Sequence, residues 1–330
     1  MEVPIWIWLA TAAGVIALLA LSFFMHVRRP HEPTMKEAAV WTAFFVGASV
    51  LFGCGLGVVW NWERGVEFFA GYITEYSLSV DNLFVFVIIM SSFAVPRADQ
   101  EKVLMVGIVI ALALRTVFIL LGGAALARFS WVFYLFGLFL IFTAAKLAFG
   151  GESEDESYRP NLLVRVVQRW LPTTEHYDGA KLTTVVNGKR HLTPMLMVML
   201  AIGMTDVLFA LDSIPAIYGL TNVPYVVFAT NAFALLGLIE LYFLLGGLIR
   251  KLVYLSTGLA LILAFIGIKL IIEAMHGNNL PFLNGGASIH LVPEIPTWLS
   301  LAVIVGILAA TTAASLVKMH RGKPRSITRD

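Results

Sequence analysis

The sequence predicts an all-α polytopic membrane protein, on the grounds of its composition, the length of its apolar runs and the duplication of an acidic phrase. Hydrophobic residues make up 59% of the 330 and charged residues 13%, with a mean hydropathy of +0.84. A water-soluble domain could not bury so much apolar surface. Runs of about 20 apolar residues match the thickness of a bilayer. They predict nine transmembrane helices, near residues 4–25, 38–60, 66–93, 103–125, 129–149, 194–221, 224–248, 252–275 and 297–317.

The predicted helices divide the chain into five parts. The first helix follows no basic leader and precedes no small-residue cleavage site, so we expect it to be retained. The long polar segment in the middle of the chain is expected to be partly helical on the membrane surface, around residues 162–171. The parts are two N-terminal helices in 1–62, a first three-helix repeat in 63–150, a cytoplasmic linker in 151–192, a second three-helix repeat in 193–277, and an outer loop, a last helix and a basic cytoplasmic tail in 278–330.

The distribution of Lys and Arg predicts the orientation in the membrane. If the N-terminus lies outside, 18 of the 23 Lys and Arg residues fall in cytoplasmic segments, three within spans and two, Arg64 and Arg128, outside. Six of the 18 belong to the long linker, where charge has less influence, but 12 against two still favours the same orientation. We therefore expect a multi-pass protein of the cell (plasma) membrane with its N-terminus outside and its C-terminus in the cytoplasm.

Two of the predicted spans carry the same acidic phrase, at residues 74–82 and 205–213. In each, a Thr-acid pair is followed six residues later by Asp and then by a small polar residue. An ionised Asp at the centre of a span costs about 2.5–3.5 kcal/mol on the insertion scale, and such residues usually serve a transport path. The residues predicted to bind a metal ion are Glu75, Asp81, Asn82, Asp206, Asp212 and Ser213.

The similarity between the two three-helix units extends beyond the acidic phrases. Leu-Leu-Gly-Gly at 120–123 returns at 244–247, and Lys146 is expected to correspond to Lys269. A unit with an odd number of helices enters the membrane from opposite sides in its two copies. The sequence therefore predicts an inverted repeat, in which transporters place their ion sites at the midplane between the halves.

The polar groups of the two phrases offer only oxygen ligands. Such a set suits Mn²⁺, Mg²⁺ or Ca²⁺, whereas Zn²⁺ or Cu⁺ would be expected to recruit His or Cys. Further candidate donors are Asn231 and the hydroxyls of Ser77, Ser79 and Thr205. Four carboxylates exceed the charge of one divalent ion, so either a proton is shared or buried cations balance them. The residues expected to support this charge network are Arg115, Lys146, Glu240 and Lys269.

Several alternatives remain open for these charged residues. The acids could form only a buried polar network that locks helices together, with the cations as structural counter-charges. Lys146 and Lys269 could extend toward the two membrane interfaces. Glu240 could pair with Lys269 or Arg115, or could face a wet vestibule.

A regular helix cannot aim both acids of a phrase at one point. The first acid and the final polar residue are seven apart and share a stripe, while the second acid is turned roughly 120° away. Either the helices are unwound near 79–82 and 212–215, or the acids serve successive positions along a path. Pro215 lacks an N–H and favours a break in the second copy.

At residues 75–86 and 205–216 the sequence resembles the TerC family of integral membrane proteins. The resemblance covers nearly the whole chain and implies a relation to LysE-type exporters, to manganese efflux and to tellurium resistance. It also implies that the metal pathway is formed by the acids that match the family's motif: Glu75, Asp81, Asp206 and Asp212. One departure lies in Gly-Leu-Ile-Glu-Leu-Tyr-Phe at 237–243, where the pair Ile239 and Glu240 includes no Arg although the family pattern leads us to expect one.

The sequence as a whole predicts a secondary transporter that exports divalent metal cations by proton antiport. Mn²⁺ is favoured as the transported ion, and Ca²⁺ or Mg²⁺ remains open. We expect no enzymatic activity, no cofactor and no nucleic-acid partner. No Walker-type phrase supports ATP-driven transport, so an ion gradient or a partner is expected to supply the energy. The expected partners are the metal ion, protons and the lipid bilayer, and the oligomeric state is left open. The alternative is a membrane scaffold or assembly factor in a stress-resistance (tellurium) or secretion-associated complex.

Overall fold

The structure of the chain is almost entirely helical. It is a computed structural model in which the helices belong to one bundle. Ten α-helices are found in the part of the chain that the structure describes: α1 Ile5–Val27, α2 Met35–Val59, α3 Trp62–Ser92, α4 Arg97–Arg128, α5 Val132–Phe149, α6 Pro194–Tyr218, α7 Pro224–Leu236, α8 Leu238–Leu245, α9 Leu255–His276 and α10 Thr297–Arg321. The described residues are 3–27, 34–129, 131–149, 173–174, 177, 179, 181–186, 189–245, 254–278, 280, 283–289 and 293–321.

The number and placement of the predicted spans are confirmed. Among the described residues, nine helical segments are long and apolar enough to cross a membrane, with α7 and most of α8 counted as one. The structure therefore agrees with an all-α, multi-pass membrane protein. The interruption between α7 and α8 falls at Gly237, whose φ of −93° and ψ of 5° leave the regular helix.

Local sequence signals explain where several helices begin. Thr34 and Glu37 form a capping box at the start of α2, in which the side chain of each accepts a hydrogen bond from the backbone of the other. Asn61 caps α3 with its side-chain oxygen. Pro194 and Pro224 open α6 and α7, where the missing N–H would have no helical partner anyway.

A short β-hairpin, which the sequence analysis did not predict, precedes α6. Strand β1 (Thr183–Val186) pairs antiparallel with β2 (Lys189–Leu192), with Thr183 opposite Leu192. The residues between the strands in the sequence are Asn187 and Gly188, a strong hairpin signal. The surface helix predicted around 162–171 lies outside the described residues.

The helices of the two predicted repeats form the interior of the bundle. α4 packs mainly on α6, α3 on α7, and α5 on α9. All of α7 from Tyr225 to Leu236 is buried, so this helix has neighbours on every side. By contrast α1, α2 and α10 leave large apolar side chains exposed, as expected of peripheral helices that face lipid. The most buried part of the bundle therefore lies among α3, α4, α6 and α7.

A close glycine crossing joins the last helices of the two units, α5 and α9. A Cβ added to Gly137 would lie 2.8 Å from the backbone oxygen of Gly267, and one added to Gly267 would lie 2.9 Å from that of Gly137. The contact is symmetric, because each glycine faces the backbone oxygen of the other. The expected equivalence of Lys269 and Lys146 stays a prediction. Opposite insertion of the two repeats in a membrane stays a prediction.

Candidate functional site

A buried guanidinium on α4 joins the two acidic phrases. Arg115 is 1% exposed and donates from Nε and Nη2 to the two carboxylate oxygens of Asp206, at 2.8 and 3.0 Å. Its Nη1 donates to Glu75 Oε1, to Asn231 Oδ1 at 2.9 Å and to Ser213 Oγ at 3.3 Å. We call these five residues the Arg115 cluster. They come from α3, α4, α6 and α7, so four helices meet at one charged centre.

Unbroken helices position the two acidic phrases. α3 is continuous from Trp62 to Ser92, and α6 runs through Pro215 to Tyr218. The predicted unwinding near 79–82 and 212–215 is therefore wrong, and Asp212 lies on a different side of α6 from Asp206. Seven residues of regular helix bring Asp206 and Ser213 onto the same face, which explains why both reach Arg115.

The predicted metal-binding residues are only partly brought together. Glu75, Asp206 and Ser213 belong to the Arg115 cluster, while Asn82 is buried two turns further along α3. Asp212 lies elsewhere, half-buried at the contact of α6 with α5. The side chain of Asp81 lies outside the described residues.

A separate polar contact surrounds Asp212. Thr143 Oγ1, on α5, donates to Asp212 Oδ1 at 3.2 Å. Lys146 is exposed in the last turn of α5 and interacts electrostatically with the same carboxylate. Sequence reasoning missed Thr143, because a single threonine in an apolar helix has no local partner that would mark it. Asp212 is thus a second acidic position, bonded to a different helix from Asp206.

The Arg115 cluster contains more negative than positive charge. Two carboxylates face one guanidinium, so the cluster has one excess negative charge when both acids are ionised. Among the described residues, Glu75 Oε2, Ser79 Oγ and Thr230 Oγ1 are buried without a hydrogen-bond partner. A buried carboxylate oxygen without a partner is unfavourable unless a proton or a cation reaches it. The cluster is therefore chemically suited to exchange cations or protons.

The described part of the chain contains no group of three or more His, Cys, Asp or Glu side chains placed to hold a metal ion. The carboxylates of the cluster are held apart by the guanidinium. The cluster offers a charged site whose carboxylate oxygens are shared with an arginine.

The four residues expected to form one supporting charge network are dispersed. Only Arg115 contacts the predicted metal ligands, and Lys146 interacts with Asp212. Glu240, on α8, is buried and accepts a hydrogen bond from Ser22 Oγ of α1 at 3.1 Å. Lys269 lies in a cavity that the Arg115 cluster does not line.

That cavity, of about 1100 Å³, lies at the end of the bundle where α3 and α10 begin and α6 and α9 end. Glu67 is buried in its wall, paired with Arg64 at 2.5 Å and accepting a hydrogen bond from Thr221 at 2.6 Å. Lys269, 8% exposed, has no acidic partner within 4.0 Å among the described residues, although Glu67 and Glu273 are near enough to attract it. Sequence reasoning missed Glu67 because Thr221, which donates to it, lies 154 residues away in the chain.

The fold and the cluster define a multi-pass α-helical membrane protein with a buried charged site where α3, α4, α6 and α7 meet. The chain belongs to the TerC family: the profile described as "Integral membrane protein TerC family" matches residues 60–323. The family resemblance found in the sequence is confirmed.

Relatives span almost the whole chain. An uncharacterized membrane protein of Mycobacterium tuberculosis is 50% identical over 312 residues, which cover 94% of this chain and 78% of the relative. An uncharacterized membrane protein of Myxococcus xanthus is 42% identical over 312 residues, covering 94% and 92%. Alx of Escherichia coli K12, for which a role as a membrane-bound redox modulator has been suggested, is 36% identical over 314 residues, covering 92% of each chain. No solved structure shows significant similarity to the chain.

Proposed function

We propose that the protein is a secondary transporter that exports divalent metal cations, Mn²⁺ in particular, from the cytoplasm in exchange for protons. The observation that supports this function best is the convergence of Glu75 and Asp206. They occupy the same position in two sequence-related phrases, and both carboxylates are buried against one guanidinium in the interior of the bundle. Paired acids at that depth are expensive to insert and are typical of ion pathways.

The donor set of the cluster supports a hard cation as the cargo. The carboxylates of Glu75 and Asp206, the amide oxygen of Asn231 and the hydroxyl of Ser213 are all oxygen ligands, which Mn²⁺, Mg²⁺ and Ca²⁺ accept. The same carboxylates can hold protons. A proton on Glu75 Oε2, which has no hydrogen-bond partner, would neutralise the excess negative charge of the cluster. Coupling follows if the site holds the metal in one orientation and protons in the other.

The proposed direction of transport depends on the orientation of the chain. The Lys and Arg distribution favours a cell-membrane protein with the N-terminus outside and the C-terminus in the cytoplasm. A change in the relative position of the two predicted helical units would then open the cluster first to one side of the membrane and then to the other. The protein has no proposed enzymatic role or cofactor. The single cysteine, Cys54, cannot form a disulfide within one chain, so the redox role suggested for the Alx relative is not transferred here.

The test is metal flux in proteoliposomes that contain the purified protein. Mn²⁺, Ca²⁺, Mg²⁺ and Zn²⁺ are offered separately, and internal pH is recorded with a trapped dye. We expect Mn²⁺ movement with proton movement in the opposite direction. Asp206→Asn should remove the flux, whereas Glu63→Gln, a matched change of an exposed acid outside the cluster, should retain it.

The same assay distinguishes the transporter from a membrane scaffold. If folded, correctly inserted wild-type protein moves none of the four ions, the transport proposal is wrong. The acidic phrases would then serve only to hold helices together, and the search would move to partner proteins.

A further inference from the structure

The guanidinium of Arg115 takes up the oxygens that the transported cation would need. We propose that Arg115 is a tethered cation that competes with the metal for Glu75 and Asp206 and thereby excludes monovalent ions. This inference rests on the proposed function, because it assigns the selectivity of the same site. It assigns to Arg115 a role in choosing the cargo, beyond that of a structural counter-charge.

The geometry of the contacts makes the competition direct. Both oxygens of Asp206 receive donors from Arg115, and one Nη1 is directed at Glu75, Asn231 and Ser213. A divalent ion binds carboxylate oxygens at about 2.0–2.6 Å, so an ion shared by these two acids would occupy the volume that the guanidinium fills. The metal and the guanidinium cannot both bind these oxygens, and metal entry requires the guanidinium to leave.

The charges of the competitors explain the proposed selectivity. A monovalent ion brings the same charge as the guanidinium but none of its directed hydrogen bonds. It must also compete with a group that is covalently attached and therefore always stays close to the carboxylates. A divalent ion doubles the attraction to the two carboxylates. Burial strengthens this difference because the cluster is shielded from water. Na⁺ and K⁺ should therefore fail to displace Arg115 where Mn²⁺ succeeds.

Removal of the tethered cation should open the site to ions. In Arg115→Gln, two buried carboxylates lose their counter-charge, which destabilises the protein unless an ion replaces it. We expect Mn²⁺ to bind this variant at least about tenfold more tightly than wild type, because no internal cation has to leave. We also expect excess NaCl, compared with choline chloride, to reduce Mn²⁺ binding to the variant but not to wild type.

The experiment measures equilibrium binding of radioactive Mn²⁺ to the full chain in detergent, together with thermal unfolding with and without Mn²⁺. Arg64→Gln is the matched control, since it makes the same substitution at an arginine that pairs with Glu67 outside the cluster. It should bind Mn²⁺ as wild type does. Mn²⁺ should raise the unfolding temperature of Arg115→Gln more than that of either other protein. Arg115→Lys, which keeps a tethered charge but loses the two-pronged contact, should fall between wild type and Arg115→Gln.

The outcomes separate this inference from the proposed function. If wild type transports Mn²⁺ but Arg115→Gln binds it no more tightly and shows no competition by Na⁺, Arg115 is only a structural bridge and the inference is wrong. If Arg115→Gln folds only in the presence of Mn²⁺, the inference is supported. If it folds under neither condition, Arg115→Lys decides, and Mn²⁺ affinity equal to wild type would overturn the inference. Failure of wild type to transport any divalent ion overturns the proposed function itself.

Discussion

Neutralising Glu75 and Asp206 singly and together measures how far the two carboxylates depend on one guanidinium. In Glu75→Gln, Arg115 keeps its two-pronged contact with Asp206, and the excess negative charge of the cluster disappears. The loss should be about 1–2 kcal/mol, the scale of one charged hydrogen bond. In Asp206→Asn, two contacts are weakened and only Glu75 remains as a charged partner, so we expect about 2–4 kcal/mol.

The double variant should lose much more unfolding free energy than the two single variants lose together. With both acids neutralised, Arg115 is a buried cation without a counter-charge, a situation that typically costs about 3–5 kcal/mol when one partner of a pair is removed. Neither single variant creates it. We therefore expect a coupling energy of at least about 2 kcal/mol between the two sites.

The assay is unfolding in mixed micelles of dodecyl maltoside with increasing SDS, followed by far-ultraviolet circular dichroism. The control cycle combines Asp206→Asn with Glu63→Gln, an exposed acid that should add its small effect independently. Additive losses for Glu75→Gln and Asp206→Asn, within about 0.5 kcal/mol, would refute the idea that both acids compensate the same guanidinium.

Three further predictions concern helix packing, the buried lysine and the orientation. Gly137→Ala should destabilise the protein by about 1–3 kcal/mol, because its Cβ would meet the backbone of α9. Gly14→Ala, whose Cβ would have nothing within 4 Å, should not destabilise it. Equal effects of the two variants in the SDS titration would contradict the close crossing of α5 and α9. Lys269→Met should leave stability unchanged or raise it by up to about 4 kcal/mol, since the ammonium has no ion pair in the described structure; a clear loss would reveal a partner. In a cysteine-free background, Glu63→Cys should react with an impermeant maleimide in intact cells and Arg190→Cys only after permeabilisation; the reverse pattern would invert the proposed orientation.

The membrane spans could be predicted from sequence because their signal is local and large. About 20 consecutive apolar residues satisfy the bilayer whatever their neighbours are. The hairpin formed by β1 and β2 was not predicted, because its two strands of four residues are too short to show a clear alternation, although Asn187 and Gly188 are typical of a hairpin turn.

The rotational arrangement of the polar side chains could be predicted only in part. The spacing of seven correctly placed Asp206 and Ser213 on one stripe, since that depends on helix geometry alone. The break expected at Pro215 did not form, because tertiary packing holds α6 together around a single missing N–H. Asp212 consequently keeps its own direction and contacts Thr143. No local pattern could reveal that partner, which lies 69 residues away.

Which cation joins the two acids also depends on tertiary packing, so the sequence alone could not identify it. Arg115, Lys146 and Lys269 were equal candidates in sequence, since each is a lone cation in an apolar helix. Arg115 is 40 residues from Glu75 and 91 from Asp206, so only the packing of α4 against α6 and α3 selects it. Its planar, forked guanidinium can satisfy two acids and an amide at once, which a lysine ammonium cannot match in geometry.

The departure at residues 239–240 leaves Arg115 as the one arginine that contacts the two acids in the described structure. If the two Leu-Leu-Gly-Gly phrases are aligned, Ile239 corresponds in sequence to Arg115, and we expect an arginine at 239 to add a positive charge to the interior of the bundle. Ile239 is instead buried and apolar, and the acid beside it, Glu240, accepts its hydrogen bond from Ser22 of α1. The two acidic phrases therefore contribute one carboxylate each to the cluster, which contains one arginine. A site with two acids and a single tethered cation remains attractive to a divalent ion, whereas one with two arginines would not.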